Sequence, residues 1–203
     1  MNVFDWARKV AAIAQTGQHF TTDPFDRDRY EKLQALVDKL LADELQRPLQ
    51  DIQALWPAEK GYITPKVAVR GGVFKDGRIL LVRETSDGKW CLPGGWVDVN
   101  DSPSQAVERE IFEESGYRAK AISLAGLQDR RRHPQPPSLF HNYVALFVCD
   151  LLSGSPKPSV ETDAIDFFSR DALPELSLAR MHPSQIELLF RHRENPALPA
   201  EFD

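Results

Sequence analysis

Three carboxylates fall within five residues of one short segment, Glu110, Glu113 and Glu114 in Arg109-Glu110-Ile111-Phe112-Glu113-Glu114-Ser115-Gly116-Tyr117. Like charges this close repel one another, and where water is partly excluded the ionised set needs a counter-charge. A divalent cation supplies one, and oxygen-only ligands suit magnesium or manganese better than zinc. Upstream, Pro93-Gly94-Gly95 forms a turn at which backbone can approach a ligand closely.

The element that must hold the acids is a helix over about Pro103 to Ser115. Ser102-Pro103-Ser104-Gln105 supplies a serine N-cap, a proline at the first helical position and a glutamine placed for a capping box. Gly116 is the stop, because glycine takes the left-handed conformation after a last turn. At about 100° per residue, Ala106, Val107 and Ile111 mark the packed side. Glu110 and Glu114 project between the directions of Ala106 and Val107, and Glu113 lies beside Ala106. Glu108 points away. An acidic helix face is usually no more than a solvated one, and that reading serves for Glu108. For the other three, the face analysis and the glycine turn favour a site.

These residues resemble the Nudix hydrolase family. Its box runs Gly, five residues, Glu, seven residues, Arg-Glu, an apolar residue, any residue, Glu-Glu, any residue, Gly, an apolar residue. Gly95, Arg109, Glu110, Ile111, Glu113, Glu114, Gly116 and Tyr117 match it. At roughly 5–7% usage per residue, the six fixed identities arise by chance on the order of once in 10⁵ chains of this length. One position departs, with Asp101 where the family has its first glutamate. That acid mainly orients the box arginine, so Asp101 with Arg109 is expected as a shortened structural pair.

The resemblance implies an α+β fold: a Nudix α/β/α sandwich with a mixed sheet. It also implies hydrolysis of a nucleoside diphosphate linked to another moiety, with Mg2+ or Mn2+ as cofactor. Glu110, Glu113 and Glu114 would carry the metal, helped by a backbone carbonyl of Gly94 or Gly95, and one glutamate would act as general base. Glu161 matches loosely the place where many members put a further acid. Substrate specificity lies in flanking loops. Arg130-Arg131-Arg132-His133 leads into Pro134-Gln135-Pro136-Pro137 between two expected strands, and arginine forks match phosphate oxygens. Arg70 and Arg83, on strands leading toward the site, are weaker candidates for the same role.

Beyond the box, a helical amino-terminal arm, Leu92-Pro93-Gly94-Gly95-Trp96, Asp129 to Pro134 and Phe167 to Pro174 are similar to one bacterial subgroup. That subgroup joins a short helical domain to the Nudix domain. The likeness implies CDP-choline as substrate, giving CMP and phosphocholine. ADP-ribose or a nucleotide sugar is the alternative, and a Nudix-like regulatory domain that only binds nucleotide is the second.

The chain has 203 residues, 42% of them hydrophobic, and a net charge of −5. That suffices for one solid core and a small appendage, and with no long basic run a nucleic-acid surface is not expected. Cys91 and Cys149 sit alone in apolar surroundings, as buried thiols of a reducing compartment do. No run reaches membrane-spanning length and the start carries no signal-peptide pattern, so a cytoplasmic location is expected.

The pattern changes near residue 60, dividing the chain into a helical domain, 1–60, and a Nudix domain, 61–203. Before the change, apolar residues keep a helical period from Val3 to Ala14 and from Tyr30 to Leu45. Gly17 is expected to end the first helix and Thr22-Asp23-Pro24 to start the second. Leu36-Val37 with Leu40-Leu41 make an apolar stripe that two helices alone bury poorly, so it must pack on the main domain or on a second copy of the chain, and a homodimer through these helices is the favoured expectation. Leu55 to Pro65 reads as a linker. Strands follow over Lys66–Phe74 and Arg78–Arg83, as a hairpin on Lys75-Asp76-Gly77, and then over Ala119–Gln128, Phe140–Leu152 and Ala164–Phe168. An amphipathic helix over Pro183–Arg193 closes the pattern.

Overall fold

A computed structural model describes residues 2–56, 61–133 and 141–203. These residues divide into two compact units, one reaching Lys66 and including His141, the other holding the remainder. Among them, no helix is long and apolar enough to cross a membrane.

The first unit is helical. α1 (Val3–Phe20) starts on an Asn2 side chain that accepts the Asp5 N–H, and α2 (Pro24–Leu45) starts on Asp23 with proline at its first turn. The expectation that Gly17 ends α1 is corrected: the helix continues to Phe20. Gly17 faces the Tyr30 ring so closely that a Cβ there would lie 2.4 Å from it. The glycine therefore serves close helix approach, not termination. A further helix that the sequence reading does not include, α3 (Leu49–Leu55), ends where the expected linker begins and packs Ile52 against Ala7, Ala11, Val37 and Leu41. Trp56, next in the chain, donates its indole N–H to the buried Asp38 carboxylate at 2.7 Å. Pro57 to Lys60 of the expected linker lie outside the described residues. The apolar stripe is split. Val37 and Leu41 are fully buried, while Leu36 and Leu40 face outward together with Trp6, Ile13, Phe20 and Phe25.

The second unit is an α/β/α sandwich. Its strands are β1 (Lys66–Lys75), β2 (Arg78–Glu84), β3 (Trp90–Cys91), β4 (Tyr117–Asp129), β5 (Asn142–Gly154), β6 (Thr162–Phe168) and β7 (Glu201–Phe202). They form one sheet in the order β3-β2-β1-β5-β4-β7, with β6 also on β2. Most pairs are antiparallel, but β7 joins β4 in parallel, so the sheet is mixed as expected. The β1–β2 hairpin turns on Asp76 and Gly77, both at positive φ, which suits a two-residue connection.

Alternation along β1 separates the two faces. Val69 and Val73 point to α4 (Pro103–Ser115), meeting Ala106, Val107 and Ile111. Phe74 points to α5 (Pro183–Glu194) and its Ile186 and Leu189. Gly71 and Gly72 lie between: a Cβ on Gly71 would come 2.6 Å from Ile111, and one on Gly72 3.0 Å from Leu189. The absence of side chains at these two residues lets a helix settle on each face. Cys91 and Cys149 are buried free thiols in the two separate cores. Phe140 and the Pro134–Pro137 run lie outside the described residues.

Candidate active site

The site is built where α4 meets the turn after β3. Proline and two glycines carry the chain alongside β1: Gly71 N–H donates to Pro93 O, Val69 N–H to Gly95 O, and Val97 N–H to Val67 O. Gly94 sits at φ +145°, and a Cβ there would lie 2.1 Å from the Val69 carbonyl, so only glycine fits. From β1, Arg70 closes the turn by donating Nη1 to Leu92 O at 2.9 Å and to Gly94 O. The Gly94 N–H then donates to Glu114 Oε2 at 2.9 Å, within the protein.

α4 begins on the capping box between Ser102 and Gln105 and stops at Gly116, left-handed at φ 77°, as the sequence implies. Glu110 and Glu114, four residues apart, share a face. Glu114 is buried, and Glu110 packs under Gly95 so tightly that a Cβ on the glycine would come 2.8 Å from its carboxyl. Glu113 departs from the expectation that it leans toward the packed side, for its side chain is 55% exposed. Glu108 stands apart, accepting the Ala121 N–H at 3.0 Å and pairing with Lys120. Arg109 donates Nε to Asp101 at 3.1 Å, which is the expected shortened pair, and shares Nη1 between Glu110 (2.9 Å) and Glu113 (3.1 Å).

Burial pushes the Glu114 carboxyl up to about 7. The Arg70 charge and the Gly94 N–H oppose the rise, while Glu110 and Glu84 add to it. Glu110 is also raised, by desolvation first, with Arg109 pulling the other way and Glu113 adding to the rise. Two acids poised this way favour a cation between them and the solvent.

Among the described residues, no three His, Cys, Asp or Glu side chains are grouped so that they could hold a metal ion by themselves. The donor set nevertheless fits a hard cation. Mg2+ characteristically takes one or two carboxylates, keeps several waters and completes its shell with substrate phosphate. Glu110 and Glu114, oxygen-only and crowded under a glycine turn, offer that partial shell.

Both acids open on a cavity of about 530 Å3. Glu113, Arg109, Gly94, Gly95 and, at the lip before β6, Glu161 line it on the acidic side, and Arg70 and Arg130 also reach it. Four other residues expected to bind substrate do not line it. Arg83 pairs with Asp163 at 2.7 Å on the β2–β6 surface, and Arg131 folds back on Asp129. His133 meets Asp203 at 3.1 Å, and Arg132 is exposed on the turn after β4. Arg70, though in the wall, holds the glycine turn with Nη1. Arg130 to Arg132 fold as one tight 3-10 turn after β4. Arg130 faces the cavity, while Arg131 and His133 are drawn to the carboxylates of Asp129 and Asp203.

Sequence reasoning missed Asp98, Asn142, Ala179 and Arg180 in the wall. Asn142 is 4% exposed, and its buried Oδ1 has no hydrogen-bond partner among the described residues. None of these residues belongs to a spaced motif, so no local signal marks them.

Comparison with known proteins identifies the assembly. A family model described as the NUDIX domain matches residues 64–191, and one described as a UDP-X-like N-terminal oligomerisation domain matches residues 1–56. Bacillus subtilis YjhB, named provisionally as an ADP-ribose pyrophosphatase, is 41% identical over 97% of this chain and 95% of its own. A structure titled an ADP-ribose pyrophosphatase, from Streptococcus suis, superposes with TM-score 0.64 at 35% identity over 69% of this chain and 100% of its own. Another, titled UDP-X diphosphatase, does so at 0.62 and 32% over 100% of this chain and 99% of its own.

The raised Glu114 carboxyl has a consequence for stability without metal. Between its ordinary value of 4.5 and about 7, the folded chain holds a proton that the unfolded chain releases. Its contribution is therefore full below 4.5 and lost as pH rises through about 7. With chelator present, wild type should lose unfolding free energy relative to Glu114→Gln across that window, by up to about 1.4 kcal/mol per pH unit. Denaturant melts from pH 4.5 to 8 measure this, and identical pH slopes would contradict it. The glycine turn, the box helix and the acids beneath them, together with the family match over most of the chain, place this protein among the Nudix hydrolases.

Proposed function

We propose that this enzyme hydrolyses the pyrophosphate bond of a nucleoside 5′-diphosphate carrying a further moiety, with the metal held by Glu110 and Glu114. The observation that carries the reading is the cavity's division, with the buried Glu114 and half-buried Glu110 carboxylates beneath Gly94 and Gly95 and guanidinium groups in the same wall. A pyrophosphate bound there would set its oxygens between cations on one side and arginine donors on the other. Mg2+ or Mn2+, when bound, supplies charge neutralisation and acidifies a water at the attacking position.

The chain's own residues have distinct tasks. Arg109 keeps Glu110 and Glu113 apart from each other's charge until the site is loaded, and Asp101 fixes the arginine. Arg70 holds the turn so that the Gly94 N–H orients Glu114. Arg130 would present donors to phosphate oxygens, and Glu161, in the same wall, would serve as a further metal-binding or catalytic acid. The relatives' names move the substrate reading from CDP-choline, which rested on subgroup likeness alone, to ADP-ribose and UDP-linked diphosphates. CDP-choline remains in the assay panel. A domain that only binds nucleotide has no need to keep Glu110, Glu113 and Glu114 together.

The amino-terminal helices are proposed as the dimer contact. Phe25, Leu36 and Leu40 stand exposed on α2, with Ile13 and Phe20 on α1, and a lone subunit would leave that apolar surface in water.

Assayed with ADP-ribose, a UDP-sugar and CDP-choline, the enzyme should turn over one class with Mn2+ or Mg2+ and stop with chelator. Glu114→Gln should lower kcat by about 10²-fold or more while circular dichroism stays native. Equal inactivity on all three substrates would refute the reading. Light scattering should give twice 23.0 kDa, and Leu36→Asp with Leu40→Asp should give a monomer. An unchanged dimer in that variant would place the contact elsewhere.

A further inference from the structure

We propose that Arg180 is a phosphate-binding residue of the cavity and that the buried Glu84 is its positioning residue; this rests on the diphosphate reading above. Glu84 closes β2 with its side chain 4% exposed and accepts two donors there. The Cys91 thiol donates to Oε1 at 3.2 Å, and Arg180 pairs with Oε2 through Nη2 at 3.1 Å. A carboxylate this deeply buried requires a counter-charge. That need alone would explain one nitrogen of Arg180.

It does not explain the rest of the side chain. A guanidinium has five N–H donors in a planar fork. Arg180 keeps its side chain 45% exposed while forming part of the cavity wall. The segment carrying it is fastened at several points. Ser177 N–H donates to Trp90 O at 2.8 Å, Ser177 Oγ–H to Asp87 Oδ2 at 2.7 Å, and Arg130 Nη2 to Ala179 O at 2.8 Å. The neighbouring Met181 is fully buried and accepts the Leu92 N–H on its sulfur at 3.2 Å. Arg180 is thus presented by fixed backbone and braced from behind by an anion, an arrangement that loses little side-chain freedom on binding.

The cations of the wall also crowd one another. Arg70, Arg130 and Arg180 all reach the same cavity, and Arg130 is lowered by burial first and then by the charges of Arg70 and Arg180. Crowded guanidiniums favour an anion as crowded carboxylates favour a metal. A diphosphate spanning the cavity meets both demands. Its oxygens away from the carboxylates would fall to Arg180 and Arg130, whose forks bind phosphate in bidentate fashion.

The test uses the full chain with Mn2+ and two readouts, calorimetric binding of inorganic pyrophosphate and steady-state kinetics on the best substrate. Arg180→Met with Glu84→Gln removes both charges, so no uncompensated buried ion remains, and Arg180→Lys keeps the charge without the fork. The double variant should weaken pyrophosphate binding and raise KM at least tenfold, a larger change than in kcat, with Arg180→Lys in between. Glu84→Gln alone should raise KM severalfold with Arg180 intact. A folded double variant that binds pyrophosphate as wild type does would overturn the proposal and make Arg180 only the counter-ion of Glu84. Weakened pyrophosphate binding in a protein whose wild type turns over no diphosphate would uphold Arg180 and refute the reaction instead.

Discussion

One hydrogen bond, from the Gly94 N–H to the buried carboxylate of Glu114, joins the two parts on which the site depends. Gly94 can present that N–H because its φ of +145° and missing Cβ let it lie against the Val69 carbonyl. Arg70 holds the carbonyl side of the same turn. Glu114 can receive it because α4 is seated by Val107 and Ile111 on β1, against Gly71. Thr162 then fastens the last turn by donating its hydroxyl to Glu114 O at 2.6 Å. The Arg70 charge and the Gly94 N–H favour the ionised carboxyl against the burial that holds its proton, so loss of either would raise its proton affinity further.

Charge is layered around that bond. Behind it lie Arg70 and Glu84, both buried; in front lie Glu110 and the open cavity. Arg109 occupies the space between Glu110 and Glu113, a placement that stores the carboxylates without letting them repel freely. In the proposed reaction the same geometry serves twice. It raises the affinity of the acids for a cation, and it leaves guanidinium donors on the wall for the phosphate oxygens that the cation does not reach.

Local signals made α4 legible from sequence. Its serine cap, first-turn proline, glutamine and terminal glycine each satisfy a backbone group at a known position, and its structure spans Pro103–Ser115 as read. The hairpin at Asp76-Gly77 was legible for the same reason. Gly17 was misread because a glycine that ends a helix and one that admits a neighbouring ring look alike without the partner, here Tyr30. α3 was hidden by its seven residues, too few to display a period, and β7 by its two. Within the site, box spacing pointed to Glu110 and Glu114 because helical geometry is local. Which arginines reach the cavity depends on the turn after β4 and on carboxylates such as Asp129, unremarkable in sequence, and Asp163, far from Arg83 along the chain. Arg180 had no motif to announce it.

The central claim is that Glu114, desolvated on the Gly94 N–H beside Glu110, is the principal divalent-cation ligand. Titration of Mn2+ at pH 8, followed by the loss of the free-ion paramagnetic resonance signal, tests it without any substrate or turnover. Saturable binding in wild type and in Glu108→Gln, with affinity at least tenfold weaker in Glu114→Gln, is the predicted result. Equal Mn2+ affinity in wild type and Glu114→Gln would contradict it.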